Sequence, residues 1–131
     1  MITTNVKGQI AQSKAELRAI ELGFIPSKPI FDARYDLILD NGGELKRVQI
    51  KYAGSYRNGV VVAKLEYNHR NGDRKFYKED EVDGLIVYIP RLDKLCFFEP
   101  EFFIGKSALW IRIEEPKIKN KNIIFAKNHI W

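Results

Sequence analysis

The sequence predicts an α/β domain with its helix first and a β-sheet as its core. Three features point that way: an amphipathic helical stretch over residues 4–22, a hairpin pattern over 35–51, and strand-like segments between 60 and 113, of which 85–89 has the look of a buried strand. At 131 residues the chain is expected to form one domain, 1–131, large enough to bury a core without disulfides or a structural metal. Its residues, 45% hydrophobic and 30% charged, are those of a globular protein.

The helix is expected to begin at Thr3-Thr4-Asn5, whose side chains can accept from free N–H groups, and to stop at Gly23 in a left-handed cap. Ile10, Leu17 and Ile20, helped by Ala11 and Ala15, make an apolar stripe at helical spacing that should face the core. Beside it runs a polar line of Gln9, Gln12 and Glu16. Residues 24–33, with Pro26 and Pro29, read as an irregular connection.

Residues 35–51 read YDLILDNGGELKRVQIK, two strand-forming runs about a turn cluster, Asp40-Asn41-Gly42-Gly43. The period of two puts Val48 and Ile50 on one face of the second strand and Gln49 and Lys51 on the other. Antiparallel pairing then brings Asp36 beside Gln49 and Lys51. Asp36 and the side-chain oxygen of Gln49, joined by the main-chain carbonyl of Ile50, could hold a hard cation such as magnesium, which takes oxygen ligands and keeps waters for a phosphate substrate. Lys51 would orient the attacking water and stabilise charge at phosphorus. That arrangement suits phosphodiester hydrolysis. The same spacing also describes an ordinary amphipathic hairpin with a solvated polar face.

Further along, 53–59 is a loop carrying Arg57, and 60–65 is a strand that ends beside Lys64. Residues 67–77 hold the turn signal Asn71-Gly72, and with His69, Arg70, Arg74 and Lys75 they could form a basic finger in a DNA groove or an exposed turn with solubilising charges. Residues 78–83 are an acidic short helix or turn, 85–89 and 95–99 pair as strands, and 108–113 is the last strand, with Trp110 expected in the core. Cys96 is the lone cysteine and sits in an apolar strand, so a buried structural thiol is expected and no disulfide or zinc site can be built.

The formal net charge is +5, and its distribution says more than its total. Residues 53–78 carry six Lys or Arg against two acids, and 112–131 carry five against two, as a phosphate-binding surface requires, although a solvated face explains either cluster alone as well. No apolar run approaches the roughly eighteen residues of a membrane span, and MITTNVKGQ lacks the apolar stretch of a signal peptide, so a cytoplasmic protein is expected.

Tyr35-Asp36-Leu37, a short turn and Val48-Gln49-Ile50-Lys51 resemble the core of the PD-(D/E)XK nuclease superfamily, in the variant with Gln before X-Lys. Lys7-Gly8-Gln9, Leu22-Gly23-Phe24 and the segment 83–90, in this order, are similar to the motifs of group I intron-associated homing endonucleases. The resemblance implies a restriction-endonuclease-like fold, a central mixed β-sheet flanked by helices. It also implies magnesium-dependent cleavage of double-stranded DNA by a homodimer or homotetramer, with Asp36, Gln49, Lys51 and Gln9 at the catalytic centre. Arg57, Lys64, His69, Arg70, Arg74 and Lys75 would then contact DNA. The family usually has Glu where Gln9 stands, which leaves Asp36 the one carboxylate of the matched motif. A weakened natural site, a Glu-to-Gln replacement and a carboxylate contributed from elsewhere are equally consistent with that. A Holliday-junction resolvase-like nuclease, a DNA-binding protein with a decayed site and an unrelated basic α/β binding module are the alternatives.

Overall fold

The computed structural model describes residues 2–65, 67–68, 74–116 and 122–131. Helix α1, Thr4–Glu21, opens the fold; Thr3 caps it by accepting from the Val6 N–H at 3.3 Å. At the other end the Phe24 N–H reaches Ala19 O at 2.9 Å and the Gly23 N–H reaches Ile20 O at 3.0 Å, with Gly23 at φ +90°. This paired closure needs a residue that tolerates a positive φ, as the sequence predicts for Gly23.

The central sheet has five strands, in the order β1 (Ile25–Ser27), β2 (Leu37–Asp40), β3 (Leu45–Tyr52), β8 (Gly84–Ile89) and β9 (Lys94–Phe98). It is mixed, because β3 and β8 run parallel while every other neighbouring pair is antiparallel. Between β3 and β8 the chain makes β4 (Tyr56–Arg57), β5 (Val60–Lys64), β6 (Tyr67–Asn68) and β7 (Arg74–Lys75). Strand β10, Ala108–Arg112, pairs with β5, which pairs with β4, giving a three-stranded antiparallel sheet. Strands β6 and β7 pair antiparallel, as the 67–77 hairpin expectation requires, and its turn at Asn71-Gly72 lies outside the described residues.

The core has two layers, one on each face of the central sheet. Ala11, Ala15 and Ala19 of α1 pack on Leu37, Leu39, Val48, Ile50, Ile86 and Tyr88. On the opposite face Leu85, Val87, Ile89, Cys96 and Phe98 meet Val61, Ala63, Leu109 and Ile111 of the second sheet. Strand β8 is buried on both faces, which is why it reads as an unbroken apolar run. Arg47 locks its parallel start: the guanidinium donates to both carboxylate oxygens of Asp83, at 3.1 and 3.3 Å, while the Asp83 N–H donates to Arg47 O at 2.7 Å.

Five expectations are corrected. The buried face of α1 is its alanine row; Leu17 and Ile20 are 58% and 60% exposed and Ile10 is half-buried, because small side chains let the helix lie close on the sheet. Trp110 is 65% exposed: Leu109 and Ile111 are buried, and strand alternation sends the residue between them outward. The connection 24–33 contains the edge strand β1, and Tyr56–Arg57 in the expected loop is a strand too. Finally, the layer opposite α1 is the second sheet rather than a further helix. Cys96 is buried as expected, and burial pushes its thiol up to about 11.

Candidate active site

The site is assembled where β2 begins. The turn that sets the hairpin register is held by short side chains: Asp40 accepts from the Gly42 N–H at 2.7 Å, and Asn41 accepts from the N–H groups of Gly43 and Glu44 at 3.0 and 2.8 Å. Leu37 consequently faces Val48, and the residue before β2, Asp36, falls next to Gln49. The Asp36 N–H donates to Val48 O at 2.8 Å. Its carboxylate accepts from the Gln49 side-chain amide at 2.7 Å and from the Ile50 N–H at 2.8 Å.

Val48 and Ile50 point into the α1 layer, whereas Gln49 and Lys51 lie on the other face, half-buried. The Lys51 ammonium stands 5.6 Å from the centre of the Tyr77 ring. Burial pushes the Asp36 carboxyl above its ordinary value, against the lowering effects of the Ile50 N–H, Lys51 and Arg34. Burial likewise pushes the Lys51 ammonium down; Asp36 opposes this, and the positive charges of Arg34 and Lys64 add to it. Each group therefore titrates nearer to neutrality than it would in water.

A cavity of about 500 Å³ opens over Asp36, Gln49 and Ile50. Its far wall is α1, from which Gly8, Gln9 and Gln12 project, and its rim is the connection 28–33. Gln12 donates to the Asp36 main-chain oxygen at 3.4 Å. Gln9 lines the same cavity, and its amide donates to Ser13 Oγ at 2.9 Å. The arrangement brings Asp36, Gln49 and Ile50 together in a cavity that Gln9 also lines, with Lys51 acting on Asp36 through its charge.

Among the described residues no group of three or more His, Cys, Asp or Glu side chains comes together. The donors that do converge are one carboxylate, one amide and main-chain groups. Gln49 presents its amide nitrogen to Asp36, so sharing a cation with it takes a half-turn of the amide. The N–H of Ile50 points at Asp36, and in an extended strand a residue's carbonyl leaves on the same side as its N–H. This oxygen set fits a hard cation that retains several waters and does not suit zinc.

Sequence reasoning missed two residues. Asp32 is a second carboxylate on the cavity rim. Arg34 packs 4.2 Å from the Tyr77 ring centre, pairs with Glu81 at 3.0 Å, and acts electrostatically on both Asp36 and Lys51. Both lie in a segment without periodicity, so no sequence signal marked them.

Of the expected DNA contacts, Arg57 and Lys64 are exposed on the second sheet. Pairing places Arg57 beside Val60, Val60 beside Arg112, Val62 beside Trp110 and Lys64 beside Ala108, so Arg57, Lys64, Arg112 and Trp110 share its outer face. Lys75 is half-buried on β7. Arg74 belongs to the same strand by its backbone, while His69 and Arg70 lie outside the described residues.

A helix followed by a mixed sheet, with Asp just ahead of one strand and Gln-X-Lys beside it on the next, defines a nuclease of the restriction-endonuclease-like class. The PD-(D/E)XK endonuclease family matches residues 2–130, and the chain belongs to it. Among solved structures it is similar to a bacterial homing endonuclease, I-Ssp6803I, with 28% identity and a TM-score of 0.79, over 98% of this chain and 88% of that one. It also resembles MepB, with 16% identity and a TM-score of 0.48, over 84% of this chain and 86% of that one. No curated protein matches the sequence. No helix among the described residues is long and apolar enough to cross a membrane.

Proposed function

We propose that this endonuclease hydrolyses phosphodiester bonds in double-stranded DNA with magnesium, as a homing enzyme of the intron type. The observation that carries the reading is the convergence of Asp36, Gln49 and Ile50 on an open cavity, with the Lys51 charge near enough to act on Asp36. Asp36, the turned amide oxygen of Gln49 and the Ile50 carbonyl would hold the cation, which supplies Lewis-acid polarisation of the phosphate when bound. Lys51 orients the attacking water by hydrogen bonding and offsets the negative charge that grows on the phosphoryl oxygens. Gln12 fixes the Asp36 backbone, and Arg34 sets the field in which Asp36 and Lys51 titrate.

The duplex would lie across the basic outer face of the second sheet, where Arg57, Lys64 and Arg112 meet phosphates. Lys75, Arg74, Arg70 and His69 would extend that contact. A chain this small covers only a short stretch of duplex, so a symmetric homodimer or homotetramer, one subunit per strand cut, completes the reading. Helix α1 offers a seam for it: Val6, Ile10, Ser13, Leu17 and Ile20 follow a 4-3-4-3 spacing on the side opposite the buried alanines.

Asp36→Asn and Lys51→Ala should each abolish strand cleavage and leave DNA binding nearly intact. The check is cleavage and gel-shift binding on a linear duplex library and a four-way junction, with magnesium or with chelator. Unchanged cutting by either variant rejects the site. Cutting confined to the junction would make the protein a resolvase instead.

A second reading, DNA binding by a weakened nuclease, draws on one observation: among the described residues, Asp36 is the one carboxylate hydrogen-bonded to Gln49 and Ile50. Asp32 at the rim is the carboxylate from elsewhere that would restore full activity.

A further inference from the structure

We propose that Ile30 and Phe31 form a wedge that enters a base step of the duplex beside the scissile phosphate; this rests on the nuclease reading above. Ile30 is 92% exposed and Phe31 84%, the largest exposures among the large apolar side chains described. Neither packs as a core residue would, yet both line the cavity that holds Asp36, Gln49 and Ile50. An apolar pair in that place has no role in holding a phosphate or a cation, and water is poor company for it. Stacked bases are the apolar surface that arrives with the substrate, and Phe and Ile are among the side chains that proteins insert between base steps.

The tip is held at both ends. On one side Pro29 restricts the backbone and Lys28 pairs with Glu16 of α1 at 2.9 Å. On the other, Arg34 pairs with Glu81 at 3.0 Å. A wedge must be presented from a fixed base, and these contacts provide one. The surroundings favour a polyanion, since Lys28 lines the cavity and the positive charges of Lys51 and Arg34 act on Asp36 in its wall. A second copy of the chain seated on Ile30 and Phe31 would cover the opening through which the phosphate must enter. That geometry selects DNA over self-association as the occupant.

The cavity volume sets the reach. A sphere of about 500 Å³ is about 10 Å across, or about three base pairs at a spacing of 3.4 Å. The opened step should therefore lie within three base pairs of the cut.

The test uses the whole protein and a duplex that it cleaves, or binds if no cleavage is found, with 2-aminopurine placed in turn at each of those positions and calcium replacing magnesium during binding. Wild-type protein should raise the fluorescence at one step. Phe31→Ala and Ile30→Ala should abolish the rise and slow magnesium-dependent cleavage of the intact duplex about tenfold, since unstacking is then unassisted. A mismatch at that step, already unstacked, should return the variants to about wild-type rate. Both side chains are exposed, so thermal melts should be unchanged. The proposal is overturned by equal cutting of the intact duplex, by slow cutting that the mismatch does not rescue, or by a lower sedimentation mass of the DNA-free variants, which would mark a contact between copies. A duplex that is bound without any fluorescence rise overturns it even where cleavage is absent, so the wedge and the nuclease reading fail separately.

Discussion

In the proposed mechanism Asp36 and Lys51 carry the chemistry, and burial has moved both of them toward neutrality. Asp36 must be ionised to hold a cation, and its raised pKa means that ionisation is completed at a higher pH than for a free carboxyl. Lys51 must be protonated to stabilise phosphoryl charge, and its lowered pKa brings the loss of that proton down from the usual lysine range. The cleavage rate should thus rise through the Asp36 pKa, above 3.8, and fall through the Lys51 pKa, below 10.5, giving a bell narrower than free side chains would produce. Single-turnover rates across pH check this; Lys51→Arg should displace the alkaline limb upward, and an unmoved limb would remove Lys51 from the chemistry. Gln9 gives a second prediction at this scale. It faces the cavity from α1, so Gln9→Glu adds a negative charge near the cation and should raise both magnesium affinity and cleavage rate. An opposite charge about 4 Å away at an effective dielectric near 20 is worth about 4 kcal/mol before desolvation, and a third of that is about tenfold in rate. A magnesium titration of single-turnover cleavage decides it, and no gain at any concentration places Gln9 outside the cation's reach.

Helix α1 shows how one element serves three surfaces. Its alanine row meets the sheet, its Gln9 and Gln12 edge forms a wall of the cavity, and its larger apolar residues turn to solvent. Exposure of Leu17 and Ile20 is unfavourable for a monomer and is relieved where two such stripes pair. In the symmetric oligomer proposed above, Leu17→Glu should therefore yield smaller species without unfolding, because the substituted side chain already stands in solvent. Sedimentation reads the mass and circular dichroism the fold; a wild-type protein that is monomeric at micromolar concentration would end the seam argument. The hairpin of β2 and β3 works differently. It places Asp36, while Arg47 and Asp83 at its side fasten the parallel strand β8.

Over the whole molecule, charge and shape are divided between the two faces of the central sheet. One face carries α1 and its apolar stripe, and the other carries the small sheet with Arg57, Lys64, Arg112 and Trp110 outermost. The positive charge of Lys64 adds to the lowering of the Lys51 pKa, so the basic face acts electrostatically on Lys51. Neutralising Arg57, Lys64 and Arg112 to Gln should weaken duplex binding at every sequence and flatten its salt dependence, by about 0.9 in the slope of log affinity against log salt for each phosphate no longer neutralised. Binding measured over a series of salt concentrations tests it, and an unchanged slope would move the duplex to another surface.

The pairing of Asp36 with Gln49 could be read from the chain alone because a short turn, Asp40-Asn41-Gly42-Gly43, and a period of two determine it within seventeen residues. The same holds for the Thr3 and Gly23 caps, which are local arrangements of backbone and side chain. The family motifs lie in these local elements, so the nuclease class was legible as well. Contacts between distant segments were not. Tertiary packing decided that the alanines of α1, rather than Leu17 and Ile20, meet the sheet, since the stripe's periodicity says that a face is apolar without saying what covers it. It also decided that Trp110 turns outward, because Leu109 and Ile111 on the same strand claim the core. Asp32 and Arg34 reach the site only because their segment is tied to α1 by Lys28 with Glu16 and to Glu81 by Arg34. Their placement depends on long-range packing between elements, for which the spacing of residues along the chain holds no signal.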